Sequence, residues 1–212
     1  MPSFDTSRNI FRKFKNNLSL PAKNETLEAI TKLLTIYDTA IYENRFIVGG
    51  VLEYILIAAI NSIDDLIATH VGKVNQRSDF SVTDWSDNSI SSFSSKASFT
   101  KSGDIRLINV LGADNTAEWD EPTIFVLSEV GIIYADPQLL NKAERVKDAV
   151  KIKRKYVEDF ASANADYYFN GVFKSIPDKK SVTILGNTRT ASQDVASELL
   201  KNCKTIILNK SK

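Results

Sequence analysis

A chain of 212 residues with 43% hydrophobic content can bury one sizeable core, so one folded domain over residues 1–212 is expected. With 27 basic residues against 26 acidic ones, a net charge of +1 excludes a global field that recruits nucleic acid or membrane, and any such binding must come from a local patch. Cys203 and His70 are each the single residue of their type, which excludes an intramolecular disulfide, a multi-thiolate or multi-histidine metal centre and a paired-histidine phosphotransfer site, and leaves carboxylate, lysine and hydroxyl chemistry.

The first twenty residues are basic and polar, show no clear period and read as an arm or a frayed helix. They contain no apolar stretch of the kind a secretory signal needs, and residues 51–60 are too few to span a bilayer, so a soluble protein of a prokaryotic cytoplasm is expected, with no membrane partner. Order is expected from Pro21. "NETLEAITKLLTIYDTAIYENRF" predicts an amphipathic helix capped by Asn24, with Leu27, Ile30, Leu33, Leu34, Tyr37 and Ile41 on one face. Gly49 and Gly50 then break the chain. "VLEYILIAAINSIDDLIATH" resumes as a core helix, apolar nearly all round except for Glu53. On that helix Asp64 and Asp65 are surface residues, Asp64 about 16 Å from Glu53 and unable to share an ion with it. His70 sits near its C-terminal end, favourable for the dipole and without a catalytic role.

The period then changes to two. Phe80 and Val82 alternate with Asp79, Ser81 and Thr83, and Phe93, Ala97 and Phe99 alternate with Ser94, Lys96 and Ser98, so two strands are expected with a turn at 86–89 between them. Residues 104–111 give a third strand, the apolar "TIFVLS" at 123–128 a central fourth, and "GIIYAD" a continuation as a fifth. A long helix over 138–165 is expected, with Leu139, Leu140, Ala143, Val146, Val150 and Val157 inward. Another helix carries "YYFNGVFKSI" up to Pro177, followed by a strand at "SVTIL", a helix at "ASQDVASELLKN" and a last strand at "KTIILN". The class is α/β or α+β with a mixed sheet.

Strand alternation puts Ser94 and Lys96 on one face, and a hairpin lets that face carry Asp79 as well. An aspartate beside a lysine suits phosphodiester hydrolysis: carboxylates bind a hard cation such as Mg²⁺, and a lysine orients the attacking water or meets the developing charge. One aspartate holds Mg²⁺ weakly, and Glu53 is the candidate second carboxylate. Each residue also has a plainer reading: Glu53 reaching solvent, Lys73 or Arg77, Asp79 capping a strand, Lys96 guarding a sheet edge.

The succession "GGVLEYIL", "RSDFSV", "SSKASF" resembles the nuclease core named for its PD-(D/E)xK motif, to which most type II restriction endonucleases belong. The resemblance covers about residues 46–135 and implies a restriction-endonuclease-like core, a mixed central β-sheet flanked by helices, with residues 138–212 as an extension. It matches Glu53 to the helical glutamate, Asp79 to the motif aspartate and Lys96 to the motif lysine, so Asp79 and Glu53 would ligate Mg²⁺ and Lys96 would position the water. The chain departs from the motif at Ser78, which replaces a proline, and at Ser94, which stands where the family usually has Asp or Glu; Ser94 would support the site and make Glu53 indispensable. The implied activity is site-specific cleavage of double-stranded DNA by a homodimer. A repair or junction nuclease of the same fold, or an inactive DNA-binding module of that fold, is the alternative.

Lys147, Lys151 and Arg154 recur at helical spacing, as a phosphate-binding stripe or a solvated helix face. "LGNTRTASQ" lacks the Gly-Lys-Ser/Thr ending of a phosphate loop, so no nucleotide cofactor is expected; as a loop, its Asn187, Thr188 and Arg189 suit contacts to base edges. Lys101 and Ser102 of "TKSGD" are candidates for contacts to the DNA backbone.

Overall fold

The computed structural model describes residues 3–71, 78–100, 103–109, 117–173 and 188–208. Its class is mixed α/β, a mixed sheet flanked by helices. The expected N-terminal arm is instead a packed helix, α1 (Asp5–Asn17), which buries Ile10, Phe11 and Phe14 on one stripe. Polar contacts 127 or more residues away in sequence hold it. Ser7 Oγ lies 2.7 Å from the Tyr134 hydroxyl, Tyr134 donates to Asp136 at 3.0 Å, and Arg8 clamps both Asp136 oxygens, Nε at 2.8 Å and a terminal nitrogen at 2.9 Å. The fully buried Asp136 is thereby paired and hydrogen-bonded, as a buried charge must be.

Helix α2 (Leu20–Ile36) starts earlier than Asn24. Ser19 is its N-cap, accepting from Ala22 N at 3.3 Å, and Pro21 occupies the first turn, where its missing N–H costs nothing. Helix α3 (Tyr42–Ile60) runs straight through Gly49 and Gly50, correcting the expected break. Gly50 serves packing: a Cβ there would lie 2.5 Å from Ser192 Oγ on α5 (Thr188–Leu200), so its absence lets the two helices approach closely. α3 stops at Ile60 and does not extend to His70. The Asn61 side chain accepts from Ala68 N at 2.6 Å and donates to Ala68 O at 3.1 Å, folding the chain back into strand β1 (Leu66–His70). Asp64 and Asp65 therefore sit in a turn.

The main sheet contains β1, β2 (Phe80–Asp84), β3 (Ser89–Ser98), β5 (Thr123–Leu127), β6 (Gly131–Ala135) and β9 (Tyr168–Asn170), in spatial order β1-β2-β3-β5-β6-β9. All pairings are antiparallel except β3 with β5, where Ser94 pairs Thr123 and Lys96 pairs Phe125. β5 and β6 are buried throughout. Gly131, at φ +146°, brings β6 against β9 where a Cβ would meet Phe169 O at 2.3 Å.

A second sheet pairs β4 (Asp104–Asn109), β8 (Ala149–Lys153) and β7 (Glu144–Val146) in the order β4-β8-β7. It corrects the expected helix over 138–165, of which α4 (Arg154–Ala163) is the helical part. Lys147 at φ +55° turns β7 into β8, where buried Val150 and Ile152 alternate with Lys151 and Lys153; Ile152 pairs with Ile105 of β4. The pairing partner lies over 40 residues upstream, and burial against it outweighs local helical spacing. "YFN" (Tyr168–Asn170) likewise forms β9 after a 3₁₀ turn at Ala165–Tyr167 rather than a helix. "KTIILN" is no strand over its described residues: the backbone N–H groups of Lys204, Thr205 and Ile206 donate to the Glu25 carboxylate, each at 2.9 Å. The strand expected at "SVTIL" lies outside the described residues. Among the described residues, no helix is long and apolar enough to cross a membrane.

Candidate active site

Two backbone bonds bring the ends of three strands together. Val71 N donates to Asp79 O at 3.0 Å, joining the end of β1 to the start of β2, and Asp79 N donates to Phe93 O at 2.8 Å, joining it to β3. Asp79 thus sits where β2 begins, beside the Phe93–Lys96 segment of β3. Its Oδ2 accepts from Ser95 N at 2.6 Å and from Ser94 Oγ at 3.2 Å, and Lys96 Nζ lies 3.9 Å away. A charged acceptor with two donors and a cation beside it is fixed in orientation.

Glu53 approaches from α3. Its side chain is 17% exposed, and its Oε2 lies 2.8 Å from Nε2 of His70, the last residue of β1. The imidazole stacks on Tyr54 at 5.2 Å between centroids. Its Nδ1 is buried without a partner among the described residues, which favours Nε2–H donating to Glu53. Burial pushes the Glu53 carboxyl above its ordinary range; the His70 hydrogen bond opposes this, the Asp79 charge adds to it, and Lys96 draws it back down. Glu53, His70, Asp79 and Lys96 therefore form one electrostatic cluster, with Ser94 at its edge. Beside Ser94 and Lys96 a cavity of about 240 Å³ opens under Leu107, Trp119 and Glu121. A larger one of about 700 Å³, lined by Phe4, Gln138 and Arg145, contains none of the cluster, whereas Lys96 and the neighbouring Ser94 line the smaller.

The fit to a divalent cation rests on donor chemistry. Among the described residues no trio of His, Cys, Asp or Glu is arranged to hold a metal. Two carboxylates are present, and among the described residues Glu53 Oε1 and Asp79 Oδ1 each take no hydrogen bond, the bonds falling on Oε2 and Oδ2. Two like charges, one of them partly desolvated, are what a cation between them would relieve. Mg²⁺ commonly takes one or two carboxylates and completes its shell with water and substrate phosphate, so the donor set fits it.

His70 escaped sequence reasoning, which put it on a helix; the alternation of "LIATH" was the available signal. Lys73 and Arg77, alternative partners for Glu53, lie outside the described residues, as do Lys101, Ser102 and Asn187. Thr188 and Arg189 open helix α5 instead of forming a loop. The basic stripe is not a helix face. Lys147 occupies the β7–β8 turn and Lys151 lies on β8 across from Arg106 and Glu144. Arg154 is 3% exposed, and its guanidinium donates to the carbonyls of Ser98 at 3.0 Å, Ser128 at 2.5 Å and Thr100, so it ties down the end of β3 and is closed to phosphate. No family model, curated protein or solved structure matches the chain.

Proposed function

We propose that the chain is a Mg²⁺-dependent deoxyribonuclease built on a restriction-endonuclease-like core, cutting double-stranded DNA at specific sites as a homodimer. The observation that carries this reading is the convergence of Glu53, Asp79 and Lys96 from a helix, a strand entry and the next strand, with one oxygen of each carboxylate taking no hydrogen bond among the described residues. Glu53 and Asp79 would hold the cation, whose chemistry when bound is to neutralise phosphate charge and lower the pKa of water. Lys96 directs an ammonium at the same place, where it orients the attacking water and meets charge growing on the phosphate. Ser94 and the Ser95 amide keep Asp79 turned toward that place, and His70 does the same for Glu53.

Ser94 donates to Asp79 where a third carboxylate would widen the metal site, which favours a second reading, a DNA-binding module without cleavage. Incubation with plasmid DNA and Mg²⁺ decides between them. Discrete fragments, stopped by chelation and absent in Asp79→Ala and Lys96→Ala, are the expected result. Full activity in both variants, or tight DNA binding without any cutting, overturns the nuclease reading, and cutting only at junctions or damage overturns the restriction assignment.

A further inference from the structure

Glu53 is the inner end of a longer stripe. Arg45, Gly49 and Glu53 recur every four residues along α3, so they share a helix face and step along its axis by about 6 Å each. Opposite them runs β4, with Asp104 and Arg106 exposed. Between α3 and β4 lies a groove of about 350 Å³, lined among others by Arg45, Gly49, Lys96, Asp104 and Arg106. Lys96 thus belongs to both the candidate active site and this groove. A Cβ placed on Gly49 would meet nothing within 4 Å, in contrast to the tightly packed Gly50, so the groove lies open over the helix backbone. Arg45 is exposed, and among the described residues it makes one hydrogen bond, Nε to Thr39 O at 2.9 Å. That bond leaves the four terminal N–H groups of a five-donor fork for a ligand. Asp104 is the single acid among these lining residues, and its cross-strand neighbour is Lys153.

We propose that this groove is the path of the substrate strand beyond the scissile bond, with Arg45 and Arg106 taking its phosphates and Gly49 leaving room for the sugar-phosphate backbone. The identity of the strand as nucleic acid rests on the nuclease reading. Three cations on one groove supply the local positive patch that a chain of net charge +1 needs to hold a polyanion. Arg45 stands eight residues before Glu53, about 12 Å along the axis at ~1.5 Å per residue. At ~3.4 Å per phosphate on one strand, it meets a phosphate about three or four nucleotides from the cut.

The test is fluorescence anisotropy of a fluorescein-labelled DNA duplex titrated with the full chain in EDTA, so that binding is read without cutting, at several salt concentrations. Arg45→Gln and Arg106→Gln are each expected to weaken binding about fivefold near physiological salt and to reduce the slope of log K against log salt by about 0.9. Gly49→Leu, which exchanges glycine for a better helix former, is expected to keep the thermal midpoint and weaken binding at least as much by filling the groove. Lys155→Gln, on the exposed Lys155–Asp159 pair of α4, is the control, expected to leave affinity unchanged. Losses no larger than the control's in all three groove variants overturn the proposal. Binding that weakens as expected in a protein that never cuts DNA sinks the nuclease reading alone. Cutting by a parent whose groove variants bind normally sinks the groove alone, and a parent that binds no duplex sinks both.

Discussion

Glu53→Gln separates a functional carboxylate from a folding residue. The substitution keeps the shape and leaves an amide oxygen that can still accept from His70 Nε2, now as a neutral hydrogen bond in place of a charge-assisted one. That exchange costs about 1 kcal/mol, since bonds to charged groups contribute ~1.5–3 kcal/mol and neutral ones about 1. Against it stands the removal of a charge that burial and Asp79 both disfavour, so the net change in stability is expected within about 1 kcal/mol. For a chain of this size that is a midpoint shift of no more than ~4 °C, measured by scanning fluorimetry in EDTA. Cleavage is expected to fall at least ~100-fold at saturating Mg²⁺, because loss of an outer-sphere partner alone costs 10–100-fold and Glu53 is a proposed ligand. Retention of more than about a tenth of the parent rate, or a midpoint drop above ~10 °C accompanying the loss, refutes the reasoning and makes Glu53 a core residue.

Arg8→Met is expected to destabilise by about 3 kcal/mol, the low end of the range for breaking a buried ion pair, because Tyr134 and the Gln138 and Leu139 amides still donate to Asp136. Urea unfolding reads this directly, and a loss below ~1 kcal/mol contradicts the account of α1 as an anchored helix. His70→Leu is expected to raise the Mg²⁺ concentration needed for half-maximal cleavage ~10–100-fold, with His70→Gln, which keeps an N–H donor, recovering most of it; equal behaviour of the two variants shows that the ring packs without positioning Glu53. The Glu53 carboxyl, raised above its ordinary 4.5, gives opposite pH trends. Between 4.5 and the raised value the folded, metal-free chain binds more protons than the unfolded one, so this contribution to stability falls as pH rises. Mg²⁺ affinity falls in the other direction, as pH drops through the raised value and the proton displaces the cation. Thermal scans of the parent and of Glu53→Gln, with and without MgCl₂ across that window, test both trends, and identical profiles for the two proteins remove Glu53 from the cation site.

Strands whose side chains alternate against a core were legible. β2 and β3 emerge from Phe80, Val82 and Phe93, with the turn between them at 85–88, one residue earlier than expected, and β5 emerges from an unbroken apolar run. The same alternation in "AVKIK" was outweighed by charges at helical spacing, because the partner that favours a strand, Ile105, is remote in sequence. α1 was opaque for a similar reason: its three buried apolar residues are a thin signal, and its polar anchor, Asp136, is remote in sequence. Gly49 and Gly50 resemble a chain break in sequence, yet one makes room for α5 and the other opens a groove. The positions of Glu53, Asp79, Ser94 and Lys96 could be paired from spacing and resemblance, whereas His70 could not. Its contact with Glu53 depends on Asn61 ending α3 early, a side-chain hydrogen bond that no periodicity encodes.

The proposed function turns on a cation site between the carboxylates of Glu53 and Asp79, next to Lys96. Crystals grown with Mn²⁺ and a DNA duplex, recorded near the manganese absorption edge, locate that ion by its anomalous peak. A peak about 2.0–2.2 Å from a carboxylate oxygen of both Glu53 and Asp79 is the expected result, the spacing of a small hard cation on oxygen. A map with no peak there, or with the manganese bound away from both carboxylates, contradicts it.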